Sequence, residues 1–186
     1  MTTRASYGDR MGTAVAAPVF DGGALITALD AERVRRGLDW NGLAVELYGQ
    51  SAELNARLGD HALCPGALVR TAKRGTMSCQ YALTLLRWLG RPPEEFLTRA
   101  DGPSQPLPDA GADARLRWDL PQLYAALDTR RREHGLTWAA LGAELGCTPS
   151  RLTNLRTARL ADMELAMRVT RWLGEPAARF IGPAGW

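Results

Sequence analysis

A short stretch around residue 150 combines arginine, asparagine and hydroxyl side chains, which are groups that can bond the edges of DNA bases. An arginine can donate two hydrogen bonds to O6 and N7 of one guanine, and an asparagine can bond N6 and N7 of one adenine. Leucines at helical spacing interleave with these polar residues, so on a helix they would face inward and leave the polar groups mostly exposed. The polar residues are Ser150, Arg151, Thr153, Asn154 and Arg156, and the leucines are Leu152 and Leu155.

The segment at 136–160 supplies the elements that would position these side chains. Thr137 is a good N-cap, and the apolar residues after it recur three and four apart, which predicts a short helix. Gly146 stands where this helix must end, at a position that can require positive φ. Thr148 can cap a second helix with Pro149 at its first position, where the missing N–H costs nothing. Two short helices joined by a tight turn are typical of helix-turn-helix DNA-binding proteins.

The chain contains an internal repeat that sets its organisation. Residues 20–47 match residues 118–145 at a constant offset of 98. Further on the offset becomes 84, as in the Arg-Trp-Leu-Gly motif at 87–90 and again at 171–174. The change of offset places an insertion of 14 residues in the first copy, near 49–62. We therefore interpret the chain as a tandem duplication.

Each copy is helical by pattern, so the predicted fold class is all-α, with two tandem domains of four to five helices. Asp119 and Asp162 are predicted caps of the first and fourth helices of the second copy, and Ser78 is the predicted cap of the fourth helix of the first copy. Tryptophans of both copies fall on the apolar stripes and are predicted to pack in the cores. The predicted segments are a flexible tail (1–19), the first copy (20–97), a Pro/Gly-rich linker (98–117), the second copy (118–181) and a C-terminal tail (182–186).

The second copy resembles the Cro/repressor-type helix-turn-helix family, also called the XRE family, and looks most like small regulators common in actinobacteria. The resemblance lies in the helix-two stretch at 136–145, the turn at Gly146 and Cys147, and the helix-three stretch at 148–155. Gly142 stands where the family usually has alanine, which still permits close packing of the helices. The resemblance implies a five-helix domain whose third helix enters the major groove. It implies base contacts by Ser150, Arg151, Thr153 and Asn154, and phosphate contacts by Thr148, Arg156, Thr157 and Arg159.

The first copy departs from this family pattern. Tyr48 stands at the position of Gly146, and the insertion contains Ala-Glu-Leu-Asn-Ala-Arg-Leu, which can form one or two further helical turns. The counterparts of the base-facing residues are Gly66, Ala67 and Arg70, which offer few polar groups. We expect this copy either to contact DNA phosphates through its basic end or to make a protein interface. The basic residues are Arg70, Lys73 and Arg74.

Composition argues against several other kinds of function. We find no glycine-rich phosphate loop and no nucleophile elbow, so we expect no catalytic site and no cofactor. The three cysteines lack metal-type spacing and the chain has two histidines, so we expect no metal site. No apolar run approaches the ~20 residues that span a membrane, and the first 20 residues do not resemble a secretory signal. We therefore expect a cytoplasmic, nucleoid-associated protein with no membrane partner.

Two functional hypotheses follow. The first is a sequence-specific transcriptional regulator that binds double-stranded DNA and reads the major groove with the third helix of the second copy. Such repressors place two reading helices about 34 Å apart, so we expect either a homodimer or an internal pseudo-dimer. The second hypothesis is a protein-interaction module that keeps the helix-turn-helix fold without operator binding. The modest net charge of +3 and the altered first copy favour this alternative.

Overall fold

The computed structural model describes residues 18–61, 64, 66, 70, 77–99 and 102–186. Over these residues the chain is mostly helical, as predicted. The helices are α1 (Gly22–Arg35), α2 (Trp40–Gly49), α3 (Ala52–Leu58), α4 (Cys79–Leu89), α5 (Leu120–Glu133), α6 (Trp138–Leu145), α7 (Pro149–Asn154) and α8 (Met163–Leu173). Short 3₁₀ helices at Pro93–Phe96 and Ala177–Phe180 follow α4 and α8. The tail predicted at 1–19 lies outside the described residues up to residue 17.

The prediction of an all-α fold is incomplete, because two short strands pair at the end of the segment predicted to be a linker. β1 (Arg115–Trp118) runs antiparallel to β2 (Ile181–Ala184), with Trp118 opposite Ile181. Half-buried arginines alternate along β1 with Trp118 and Leu116, which are buried. This period of two is that of a strand with one face against a core, and it is too short to stand out in a segment rich in proline and glycine.

Side-chain caps begin the helices at the predicted residues. Asp119, Thr137 and Asp162 each accept a hydrogen bond from the backbone N–H three residues further on. Ser78 does the same at the start of α4. Each cap satisfies one of the backbone donors that a helix N-terminus leaves without an intrahelical partner. The inserted Ala-Glu-Leu-Asn-Ala-Arg-Leu stretch, predicted to form one or two helical turns, forms the helix α3.

The two copies make equivalent contacts at positions related by the offset of 98. In each copy an arginine in the first helix binds an aspartate three residues before it and stacks on the tryptophan that begins the second helix. The guanidinium carbon lies 4.6 Å from the ring centre in both cases. The residues are Asp30, Arg33 and Trp40 in the first copy, and Asp128, Arg131 and Trp138 in the second.

A second pair of equivalent contacts involves the tryptophans of the fourth helices. Trp88 donates from Nε1 to Glu46 at 2.8 Å, and Trp172 donates to Glu144 at 2.9 Å. All four predicted core tryptophans pack against the core, with Trp88 buried and the other three partly buried. Trp40, Trp88 and Trp138 also carry a stacked guanidinium group, a contact that an amphipathic ring at the edge of a core can make.

One continuous core joins the two copies, and the segment between them is tied to the first copy. Arg87 on α4 donates to the carbonyls of Ala110, Gly111 and Ala114. Ala114 is buried, and β1 packs against α4. Burial lowers the pKa of Arg87, but arginine starts so far above neutrality that the guanidinium keeps its charge. The residues predicted to be a linker therefore end in a packed strand that the half-buried guanidinium of Arg87 holds against α4.

Candidate nucleic-acid interface

The turn between α6 and α7 folds tightly back over α6. Gly146 ends α6 in the left-handed conformation at φ +64°, as predicted. The Cys147 N–H donates to the Gly142 carbonyl at 2.9 Å. A Cβ placed on Gly142 would lie 2.7 Å from the Cys147 carbonyl oxygen, which is closer than real Cβ contacts come. The close packing expected at Gly142 is confirmed, and this turn leaves no room for even a methyl group.

The helix α7 buries one face and exposes the other. Leu152 and Leu155 are buried in the core, as predicted. Ser150, Arg151 and Asn154 are exposed. The structure therefore brings three of the four predicted base-contacting side chains onto one solvent-facing surface. Pro149 occupies the first position of α7 and also lies at this surface.

The hydroxyl groups of Thr148 and Thr153 have hydrogen-bond partners other than those predicted. Thr148 occupies the N-cap position of α7, but the predicted side-chain cap is wrong, because its hydroxyl lies 3.1 Å from the Ser150 hydroxyl instead of bonding the backbone. Thr153 is half-buried and donates to the Ser150 carbonyl at 3.3 Å. The Thr153 hydroxyl therefore uses its hydrogen-bond donor within its own helix. The Thr148 and Ser150 hydroxyls remain exposed together at the N-terminus of α7.

Sequence reasoning missed the partner of Arg151. The Arg151 guanidinium forms an ion pair with Asp162, whose other carboxylate oxygen caps α8 by accepting from the Leu165 N–H at 2.7 Å. Half of the Arg151 side chain stays exposed, at 50%. A guanidinium has five N–H donors, so one bonded nitrogen leaves others available for a base edge. Asp162 is recognisable in the sequence only as a cap, since the fold alone brings it to Arg151.

Two arginines that follow α7 lack the carboxylate partner that most of the described arginines have. More than half of the described arginines form ion pairs with carboxylates, most of them three or four residues away on the same helix. Among the described residues, Arg156 and Arg159 make no ion pair and no side-chain hydrogen bond, and both are exposed. Arg70 is exposed and unpaired in the same sense. Lys73 and Arg74, the other predicted phosphate contacts of the first copy, lie outside the described residues.

Two grooves border α7 and contain predicted DNA-contacting side chains. The first is shared with the first copy and is lined by Arg151, Asn154 and Ser78. The second is lined by Thr157 and Arg159, together with a strand residue that sequence reasoning did not single out. That residue is Arg117 of β1, whose pKa is lowered by burial and by the neighbouring Arg115. The second groove therefore brings two guanidinium groups, from different elements, to one surface.

The cysteines differ in their surroundings and form no disulfide within the described residues. Burial raises the pKa of Cys79, and the nearby Asp162 adds to the effect. Burial also raises the pKa of Cys147, in the turn before α7. Cys64 is exposed. A thiol with a raised pKa is a poor nucleophile at neutral pH, so neither Cys79 nor Cys147 has the character of a catalytic residue.

In the described part of the chain, no group of three or more His, Cys, Asp or Glu side chains is arranged to hold a metal ion. No described helix is long and apolar enough to cross a membrane. No protein-family model matches the chain, and no curated protein and no solved structure matches it significantly. The exposed face of α7, together with the unpaired Arg156 and Arg159 that follow it, is thus the best candidate for a functional surface.

Proposed function

We propose that this protein is a sequence-specific DNA-binding transcriptional regulator built from two helix-turn-helix-like domains, with α7 of the second copy as the reading helix. The single observation that carries the proposal is the surface of α7, where exposed Arg151 and Asn154 are flanked by Arg156 and Arg159, which have no acidic partner among the described residues. Unpaired arginines on a protein whose other arginines are mostly neutralised indicate an anionic partner.

The reading chemistry follows from the length and exposure of α7. Six residues make a helix about 9 Å long, which fits within a major groove about 12 Å wide. In this proposal Arg151 bonds a guanine and Asn154 bonds an adenine, while Ser150 can bond either base or a phosphate. The ion pair with Asp162 restricts Arg151 before DNA arrives, which reduces the side-chain entropy lost on binding.

The positioning chemistry belongs to the residues around the ends of α7. Thr148 and Ser150 present exposed hydroxyl groups at the N-terminus of α7 that suit a phosphate oxygen. Thr157, Arg156 and Arg159 lie after the C-terminal end of α7 and suit the phosphates further along the same strand. Binding should therefore weaken with salt, with a log–log slope near −0.9 for each phosphate neutralised.

The test is selection of bound sequences from genomic and random DNA with the full chain, followed by affinity measurements on the selected site. Replacing Arg151 by alanine should cost about 1–3 kcal/mol and relax specificity at one base pair, and Asn154→Ala should do the same at another. Arg156→Ala should weaken all sequences equally and lower the salt slope by about one. Arg35→Ala on α1, which removes the same charge from an exposed ion pair, is the matched control.

Two results would contradict the proposal. One is the absence of any enriched sequence and of any binding at low salt. The other is a double variant, Arg151→Ala with Asn154→Ala, that binds the selected site as tightly as the parent chain.

The alternative is a protein-interaction module, and the ion pair between Arg151 and Asp162 is the observation that favours it. A reading arginine that is already bound to a carboxylate has part of its charge neutralised. Under this alternative the α7 surface binds another protein, and the same alanine variants would abolish a stoichiometric, nuclease-resistant complex.

A further inference from the structure

The two copies contact each other through residues that are equivalent under the offset of 84. Ser78 and Asp162, the caps of α4 and α8, form an antiparallel backbone bridge. The Cys79 N–H donates to the Ala161 carbonyl at 2.9 Å, and the Met163 N–H donates to the Met77 carbonyl at 2.9 Å. Met77 corresponds to Ala161, and Cys79 corresponds to Met163. Each copy therefore donates one backbone hydrogen bond to the other and accepts the equivalent bond in return. This reciprocity defines an isologous contact, the kind found across a two-fold axis.

A second contact lies at the other ends of the same two helices. The buried Glu94, in the 3₁₀ helix after α4, accepts a hydrogen bond at 2.7 Å from the N–H of Ala177, in the 3₁₀ helix after α8. Between the two contacts α4 packs against α8. The approximate two-fold axis therefore runs alongside this pair of helices. The symmetry is imperfect, since Ala178 stands at the position of Glu94 and returns no carboxylate.

The residues at this contact are not available to a second chain. Met77, Cys79 and Met163 are buried, and so are Leu165 and Ala177. All five belong to the single core that the two copies share. A homodimer through the same surface would first have to separate the two copies and expose this part of the common core.

From this contact we infer that one chain is a complete pseudo-dimer and that its DNA site is correspondingly asymmetric, with two unlike half-sites bound by a single protein molecule. The inference rests on the proposed DNA binding. One half-site is read by α7 through Arg151 and Asn154. The other is contacted from the first copy, where the exposed Arg70 stands at the position of Asn154.

The unlike half-sites follow from the sequence at equivalent positions. Asn154 is replaced by Arg70, and Arg151 by Ala67. An arginine pairs best with guanine or phosphate, whereas an asparagine pairs best with adenine. A palindromic operator would therefore offer the first copy a half-site that its side chains do not match, so the selected sequence should contain one strongly and one weakly specified half.

The first arm of the test examines the contact without DNA. A protease site is inserted between Ser104 and Gln105, in an exposed stretch of the connecting segment, and the purified chain is cleaved. The expected result is a mass of one chain before cleavage and co-elution of the two fragments afterwards. Fragments that separate under native conditions, or an intact chain that forms a dimer at micromolar concentration, would overturn the inference.

The second arm counts chains on DNA and maps the contacts of each copy. Native mass spectrometry on the selected duplex should give one chain per site. Arg151→Ala should remove footprint protection from one half-site only, and Arg70→Ala should weaken the other half, while Arg35→Ala changes neither. A homodimer would instead give two chains per site and a symmetric loss from either variant.

The two arms of the test distinguish a failure of the pseudo-dimer from a failure of the proposed DNA binding. A single chain whose fragments stay together but which selects no DNA contradicts DNA binding while leaving the contact between the copies standing. DNA binding with two chains on a palindrome contradicts the pseudo-dimer while leaving DNA reading by α7 standing.

Discussion

The second helices of the two copies begin alike and end differently. Both start at a capped tryptophan, Trp40 in α2 and Trp138 in α6. In the second copy α6 stops at Gly146 and the chain folds back over Gly142. In the first copy α2 continues to Gly49 and leads into α3. Similar helix starts therefore impose no common ending, which depends on the residues that follow.

The first copy uses the polar groups after α2 for packing. The buried Ser51 hydroxyl donates to the Ala114 carbonyl at 2.7 Å, and Asn55 donates to the Tyr48 carbonyl at 2.7 Å. Arg115 of β1 binds Asn55 and Asp60. The second copy lacks this insertion, and Thr148 and Ser150 after its second helix are exposed. The comparison indicates that the first copy uses the polar groups after its second helix to hold the connecting segment, whereas the second copy exposes them to solvent.

The largest expected difference in stability concerns the position that is Gly142 in the second copy and Ala44 in the first. Gly142→Ala gains about 1 kcal/mol of helix propensity, but its methyl group meets the Cys147 carbonyl at 2.7 Å. Overpacking costs about 1–3 kcal/mol, so we expect a net loss of up to about 2 kcal/mol in urea unfolding. A stabilised Gly142→Ala variant would show that the turn is looser than described.

The reverse substitution is the matched control. Ala44→Gly should cost about 1–2 kcal/mol, from lost helix propensity and one lost buried methyl group, because Ala44 is only 4% exposed. Only Gly142→Ala should also weaken DNA binding, since only that substitution displaces the turn before α7.

The next prediction compares two hydroxyl side chains that follow the second helices: Ser51, which is buried, and Thr148, which is exposed. Ser51→Ala removes the bond to Ala114 and the 3.1 Å bond from Arg87, while Arg87 itself still donates to the Ala114 carbonyl. We expect a loss of about 0.5–1.5 kcal/mol of stability, the net value of a hydrogen bond, with DNA affinity little changed. Thr148→Ala removes no cap bond and should leave stability within about 0.5 kcal/mol while weakening DNA binding. Equal effects of the two variants on stability would contradict the comparison.

A smaller effect is expected at the left-handed glycines that end α6 and α3. Gly146 and Gly59 have φ values of +64° and +66°, a conformation that costs an L-residue about 1 kcal/mol. A Cβ at Gly59 meets nothing within 4 Å, whereas one at Gly146 lies 3.2 Å from Arg168. Gly146→Ala should therefore be the more destabilising variant in urea titration, by a few tenths of a kcal/mol. The opposite order would count against a tighter turn in the second copy.

Most of the helical architecture could be predicted from the sequence, because caps and apolar periodicity are local signals. Asp119, Thr137, Ser78 and Asp162 all cap the helices expected of them. Thr148 does not, since the nearby Ser150 hydroxyl competes for its side chain. Local patterns describe which groups are able to bond, and neighbours decide which bonds form.

The rest of the site depends on contacts between residues distant in the chain. The pairing of Arg151 with Asp162, the strand β1 and the reciprocal bonds at Ser78 and Asp162 all require the assembled fold. The repeat predicted that equivalent residues exist, but an offset carries no information on which equivalents touch. The exposed face of α7 was predictable because helical spacing alone separates its leucines from its polar residues.

The smallest predicted effect is a difference in alkylation rate between the cysteines Cys147 and Cys64. Cys147 is half-buried beside α7, and burial raises its pKa, whereas Cys64 of the first copy is exposed. Because only the thiolate reacts, alkylation of Cys147 should be slower than that of Cys64 at pH 7. As the pH is raised, the alkylation rate of Cys147 should continue to increase above the pH at which the rate of an ordinary thiol becomes constant. DNA should slow the labelling of Cys147 further, as followed by mass spectrometry, while labelling of Cys79 should require unfolding. If DNA protects Cys64 and leaves Cys147 unchanged, the first copy rather than the second is the one that reads DNA.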